Sequence, residues 1–214
     1  MRLARTGCTA PSAFPMKCFG LLPPANPAAA LPAAPAPSPT AAMVYGGLSF
    51  GAVSVAAYSI WAYRLVPGTA ALYASIAAVY LGLGGVALAR LVRPPRRWQR
   101  FPLLFATGFF VYAVCWCAFW FGLRGKYLAD LWGAAAGLAA MTWLFQRAFG
   151  QRGGFALSFL ALFAWHGAGY YAGGELYAAV RGSTGRLLWG AAHGVGFGAG
   201  LGCVLSFCQR SRNP

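Results

Sequence analysis

The sequence predicts an all-α polytopic integral membrane protein, a bundle of about six transmembrane helices. Three observations point there. Of 214 residues, 59% are hydrophobic and only 9% charged, against roughly 25% charged in an ordinary soluble domain. Apolar runs near twenty residues long recur after residue 43. The last of them places glycine at every fourth position, at Gly190, Gly194, Gly198 and Gly202. Glycine costs about 1 kcal/mol relative to alanine in a water-exposed helix, so this density suits helices whose backbones approach closely inside a bilayer.

A helix needs about 20 apolar residues to cross roughly 30 Å of hydrocarbon. Six segments approach that length: Val44 to Tyr63, Thr69 to Leu91, Phe101 to Leu123, Ala129 to Phe145, Phe155 to Tyr177 and Leu187 to Phe207. The fourth is the shortest and the richest in alanine. Membrane strands would alternate polar and apolar residues over segments of about ten, and the chain has no such alternation. Pro67-Gly68, Pro94-Pro95, Gly125, Gly150 to Gly154 and Gly182 to Gly185 break the runs, leaving connections too short for a soluble domain.

Residues 1–42 differ in kind. They are rich in proline and alanine, contain no acid and end in LPAAPAPSPTAA, so they cannot bury a core. They are expected to be a disordered extension, with a targeting peptide and an untranslated upstream segment as the other readings, since Met43 directly precedes the first span. Residues 43–209 form the expected six-helix domain, and 210–214 a short basic tail.

Asp130 and Glu175 are the only acids, and 17 Lys and Arg bring the net charge to +15. The basic residues do not form the patch or stripe of a nucleic-acid binder; they fall at the ends of apolar runs, where lipid headgroups lie. The expected partners are the lipid bilayer and other membrane proteins or a second copy, with no nucleic acid. Arg90, Arg93, Arg96, Arg97, Arg100, Arg147, Arg152, Arg210 and Arg212 fall on the side of the termini and outnumber Arg64, Arg124, Lys126, Arg181 and Arg186 opposite. Both termini are therefore expected in the cytoplasm, with the chain in the plasma membrane.

Cys8 and Cys18 lie in the extension and the other cysteines inside spans, where they read as small core residues. Cys115 and Cys117 diverge by about 200° on one helix, so no disulfide framework or joint metal grip is expected. Ionisable groups at membrane depth are functional candidates, which singles out His166, His193, Asp130 and Glu175. By helix rise, the two imidazoles differ in depth by about 5 Å. Paired across glycine-lined helices they are candidate axial ligands of a haem; otherwise each hydrogen-bonds a neighbouring helix. No other metal or cofactor is expected. Asp130 and Glu175 fall near Arg124, Lys126, Arg181 and Arg186, where ion pairing is the economical reading.

Aromatics at the span ends, such as Trp61, Tyr63, Trp132, Trp143, Tyr177 and Trp189, suggest interfacial belts. Close-packing glycines recur at Gly47 and Gly51 in the first span and at Gly133 and Gly137 in the fourth. The string G-x-x-F-G-A occurs twice, at Gly47 to Ala52 and at Gly194 to Ala199. Projected down the helix axis, Gly190, Gly194, Gly198 and Gly202 form one seam, while Gly196 and Gly200 form a second near His193. The second is expected to face the fifth helix.

The string Ala192-His193-x-x-Gly196-x-x-x-Gly200 resembles the last catalytic helix of rhomboid intramembrane proteases, which also have a six-helix core. The resemblance covers about ten residues and implies a serine in a G-x-S-G motif on an earlier helix. Gly182-Ser183-Thr184-Gly185 has its serine in another register, and Ser54, Ser75 and Ser158 lack the flanking glycines. A histidine without an activated nucleophile cannot run acyl transfer, so no catalytic residue is assigned. The expected function is a non-enzymatic membrane component, an assembly partner or small permeation protein. The alternatives are a bis-histidine haem-binding redox protein and an inactive rhomboid-like scaffold.

Overall fold

Ser38 begins the first helix: its hydroxyl oxygen accepts a hydrogen bond from the Ala41 N–H at 3.2 Å. Pro39 follows in the first turn, where a missing N–H has no intrahelical partner to lose. The computed structural model describes residues 37–93, 97–151 and 153–210. Among them are α1 (Pro39–Ala62), α2 (Thr69–Leu88) with a 3-10 extension over Ala89–Leu91, α3 (Arg97–Gly122), α4 (Ala129–Ala148), α5 (Phe155–Val180) and α6 (Gly182–Cys208), and no strand.

Four stretches are long and apolar enough to cross a membrane: Pro39–Ala62, Thr69–Leu91, Trp98–Gly122 and Gly182–Cys208. The expectation of six such helices is met in part. α4 has 20 residues but includes Asp130, Gln146 and Arg147 among many alanines. α5 has 26 residues but carries His166, Tyr170, Tyr171 and Glu175 besides its glycines.

Several boundaries move. α1 starts at Pro39 rather than after residue 43, and Ala42 is fully buried. A Cβ on Gly202 would overlap the Ala42 carbonyl oxygen, so this first turn belongs to the packed bundle. Gly182 to Gly185, expected as a breaker, is instead the first turn of α6. The chain reverses at Arg181, with φ 54° and ψ −171°, and Gly182 follows at φ 60°. That conformation places the start of α6 directly against the end of α5, where Gly185 packs on Tyr177. Residues 1–36 of the proline-rich extension, Pro94, Pro95, Arg96, Arg152 and residues 211–214 lie outside the described residues.

Consecutive helices pack side by side, and α1 closes the ring against α6. α6 is the most enclosed: 72% of its apolar window is buried, against 44% or less in the other three candidate spans. Its Phe197 is the hub of the core. The Phe197 ring centroid lies 5.3 Å from Phe50 on α1, 5.3 Å from Tyr112 and 6.2 Å from Phe109 on α3, and 5.0 Å from His166 on α5. Lipid tails are as apolar as these rings, so dispersion and close backbone approach hold such a bundle together more than water exclusion does.

Polar side chains tie down the ends of α6. Arg186 donates from Nη1 to the Trp61 and Ala62 carbonyls at 3.1 and 3.5 Å, and its guanidinium lies 4.9 Å from the centre of the Trp61 ring. A cation thus caps the C-terminus of α1, where free carbonyls concentrate negative partial charge. At the other end, Gln209 donates to the Leu91 carbonyl at 2.8 Å and accepts from the Arg93 N–H at 2.8 Å. Gln151 donates to the Cys208 carbonyl at 3.1 Å.

Candidate functional site

Two glycine seams position His193. On one side of α6, a Cβ on Gly194 would overlap Ser54, one on Gly198 would overlap the Gly46 carbonyl oxygen, and one on Gly190 would stand 2.6 Å from Tyr58 Cβ. This seam seats α1. On the other side, a Cβ on Gly196 would overlap the Trp165 carbonyl oxygen, and one on Gly200 would stand 3.1 Å from Leu162 Cα. This seam seats α5, whose own Gly169 meets Gly196. The two G-x-x-F-G-A strings face each other across the α1–α6 contact, with Phe50 against Phe197 and Gly51 beside Gly194. Gly133 and Gly137 of α4 seat α3: a Cβ on either would stand 2.8 Å from the Cα of Trp116 or Tyr112, respectively.

These crossings bring the two histidines together. His166 and His193 are 2% and 8% exposed, and their Nε2 atoms lie 3.3 Å apart with the rings nearly perpendicular at 84°. Tyr112 Oη lies 2.8 Å from the same His166 Nε2. Tyr58 Oη lies 3.4 Å from His193 Nδ1. The result is a chain Tyr58, His193, His166, Tyr112 drawn from α1, α6, α5 and α3, buried except at its part-buried Tyr58 end. A second buried pair, Ser54 Oγ and Tyr80 Oη at 2.6 Å, joins α1 to α2 nearby.

A haem does not fit between these imidazoles. Bis-histidine ligation requires a macrocycle across the line joining the two ligating nitrogens. Tyr112 Oη stands beside that line, Phe197 lies 5.0 and 6.0 Å from the two rings, and the Gly169 and Gly196 backbones are in contact. No broad slot remains unless α5 and α6 separate. Among the described residues, no three His, Cys, Asp or Glu side chains gather as a metal-ligand set. Cys115, Cys117, Cys203 and Cys208 are free thiols.

The acids do not follow the ion-pair expectation. The Asp130 carboxylate accepts from the Tyr171 hydroxyl at 3.3 Å, linking α4 to α5, and Glu175 is exposed on α5. Arg186 is engaged with the end of α1 instead. His193 is placed beside Tyr58 and His166, and the nearest serine on α1, Ser54, is bonded to Tyr80. Among the described residues, the rhomboid resemblance therefore has no serine–histidine pair.

Sequence reasoning left out Tyr58 and Tyr112. Tyrosine is enriched in the interfacial belts of membrane proteins, which gives Tyr112 an ordinary explanation until its place is counted. It stands ten residues from the end of α3, about 15 Å inside, a depth at which a phenol needs an internal partner. Comparison with protein-family models, curated proteins and solved structures finds no match.

Proposed function

We propose that the chain is a six-span integral membrane protein of the plasma membrane with both termini cytoplasmic, acting as a non-enzymatic membrane component, more specifically an assembly partner. The single observation that carries this reading is the filling of its centre. Phe50, Phe101, Phe105, Phe145 and Phe197 are fully buried in the core of the bundle. Both faces of α6 are closed by backbone contact with α1 and α5. A bundle packed this way offers rigid outer faces rather than a central conduit, which favours assembly over permeation.

The outer faces suit such a role. α4 and α5 present Trp132, Trp143, Leu157, Leu160 and Trp165 outward, and these two helices are the ones outside the four long apolar stretches. Purified chain reconstituted in liposomes is expected to pass no ions or small solutes above the protein-free rate. Extraction from its native membrane in mild detergent is expected to yield a particle larger than the chain alone, with one partner in fixed stoichiometry. Specific solute flux through the reconstituted chain would overturn the assembly reading in favour of permeation.

A further inference from the structure

From the convergence of three side chains we infer a site for one divalent first-row transition-metal ion in the core of the bundle, held by Nε2 of His166, Nε2 of His193 and the phenol oxygen of Tyr112. This goes beyond the proposed assembly role and does not depend on it.

A neutral imidazole Nε2 either carries one proton or offers one lone pair. His166 Nε2 nevertheless faces two polar atoms at bonding distance, Tyr112 Oη at 2.8 Å and His193 Nε2 at 3.3 Å. If it accepts from Tyr112, His193 Nε2 either competes for the same lone pair or, with its own proton on Nδ1, faces it as an acceptor without a donor. If it donates, one proton is shared between two acceptors and the Tyr112 hydroxyl proton must turn elsewhere. Either protonation leaves this buried trio with one bond too few, an expensive condition in a dry interior.

A cation removes the conflict. Two ligands bound at about 2.0–2.1 Å in tetrahedral geometry stand roughly 3.3 Å apart, which is the separation of the two Nε2 atoms. The outer partner also suits: ligating histidines ordinarily donate their other ring N–H to a neighbouring acceptor, and His193 Nδ1 faces Tyr58 Oη. With that proton on Nδ1, Nε2 offers its lone pair inward. Tyr112 Oη, at hydrogen-bond length from His166, shifts off the line of that bond to take a third tetrahedral position. On binding, the Tyr112 O–H breaks, the phenolate oxygen bonds to the ion and the proton leaves to solvent.

One phenolate against a divalent ion leaves a single net positive charge. Phe197 and Tyr170 pack against the imidazoles, with ring centroids 5.0 Å from His166 and 5.8 Å from His193, respectively. Imidazole-rich sites suit zinc, copper, iron and nickel rather than magnesium or calcium. The glycine seams fix the distance between α5 and α6, so the two nitrogens are held at ligand spacing before an ion arrives.

The test uses cobalt(II) as a spectroscopic stand-in for zinc, added to the intact, detergent-purified chain after chelator treatment. One cobalt ion per chain with tetrahedral d–d absorption, displaced by zinc and accompanied by proton release, is the expected result. His166→Gln and His193→Gln should each abolish the bands. Tyr112→Phe should weaken binding at least tenfold and suppress the proton release. Circular dichroism and thermal melting report whether each variant folds. The wild-type arm stands without them: folded wild-type chain that shows no saturable cobalt absorption, or no more than one without accessible imidazoles would show, overturns the site.

Discussion

Gly46 and Gly198 face each other across the α1–α6 contact so closely that a Cβ on either would overlap the carbonyl oxygen of the other. The contact is reciprocal, backbone on backbone, and each helix has only glycine to offer there. Replacing Gly198 by alanine is therefore expected to force α1 and α6 apart, at a cost of about 1–3 kcal/mol for an overpacked site. Unfolding of the purified protein in mixed micelles measures this.

α5 supplies an internal control. A Cβ on Gly169 would stand 2.5 Å from the Ala192 carbonyl oxygen, whereas one on Gly167 would meet nothing within 4 Å. Gly169→Ala should destabilise by about 1–3 kcal/mol, and Gly167→Ala should be neutral or stabilise by up to about 1 kcal/mol through helix propensity. Equal melting temperatures for the two variants would remove the packing explanation of the second seam.

The Ser54–Tyr80 bond makes a different prediction, because both partners are buried. Ser54→Ala strands a phenol hydroxyl and should cost about 1–3 kcal/mol. Adding Tyr80→Phe should restore part of that loss, since removing both partners leaves nothing unsatisfied. A double-mutant cycle in thermal stability reads the coupling; strict additivity would mean that the pair contributes nothing as a pair.

Arg186 holds the end of α1 through two carbonyls and the Trp61 ring. Arg186→Ala should lower stability by about 1 kcal/mol and speed amide exchange in the turn around Trp61 to Arg64. Arg186→Lys keeps the charge but loses the planar fork, so it should recover only part of the protection. Hydrogen–deuterium exchange resolves the two variants.

The helical class is legible in the sequence because apolar runs and breakers are local signals. The starts of α2, α4 and α5 at Thr69, Ala129 and Phe155 coincide with expected span starts. α6 is different: Gly182 to Gly185 reads as a loop, yet the reversal is accomplished by Arg181 and Gly182 alone, so the helix begins five residues before Leu187. A loop signal and a helix start share the same residues there, and only tertiary contact with Tyr177 separates them. The candidate site was less legible. Four-residue glycine spacing describes a seam without naming the helix that fills it, and the phenols of Tyr58 and Tyr112 acquire their meaning only when four helices bring them to the histidines.

The central claim, that α4 crosses the membrane along with the four long apolar stretches, has one direct test. In a background without native cysteines, Arg124→Cys reports the α3–α4 connection and Arg147→Cys the far end of α4, both exposed. A membrane-impermeant maleimide added to intact cells is expected to label Arg124→Cys, and to label Arg147→Cys only after the membrane is opened. Labelling of both positions from the same side would show that α4 does not span, contradicting the six-span account.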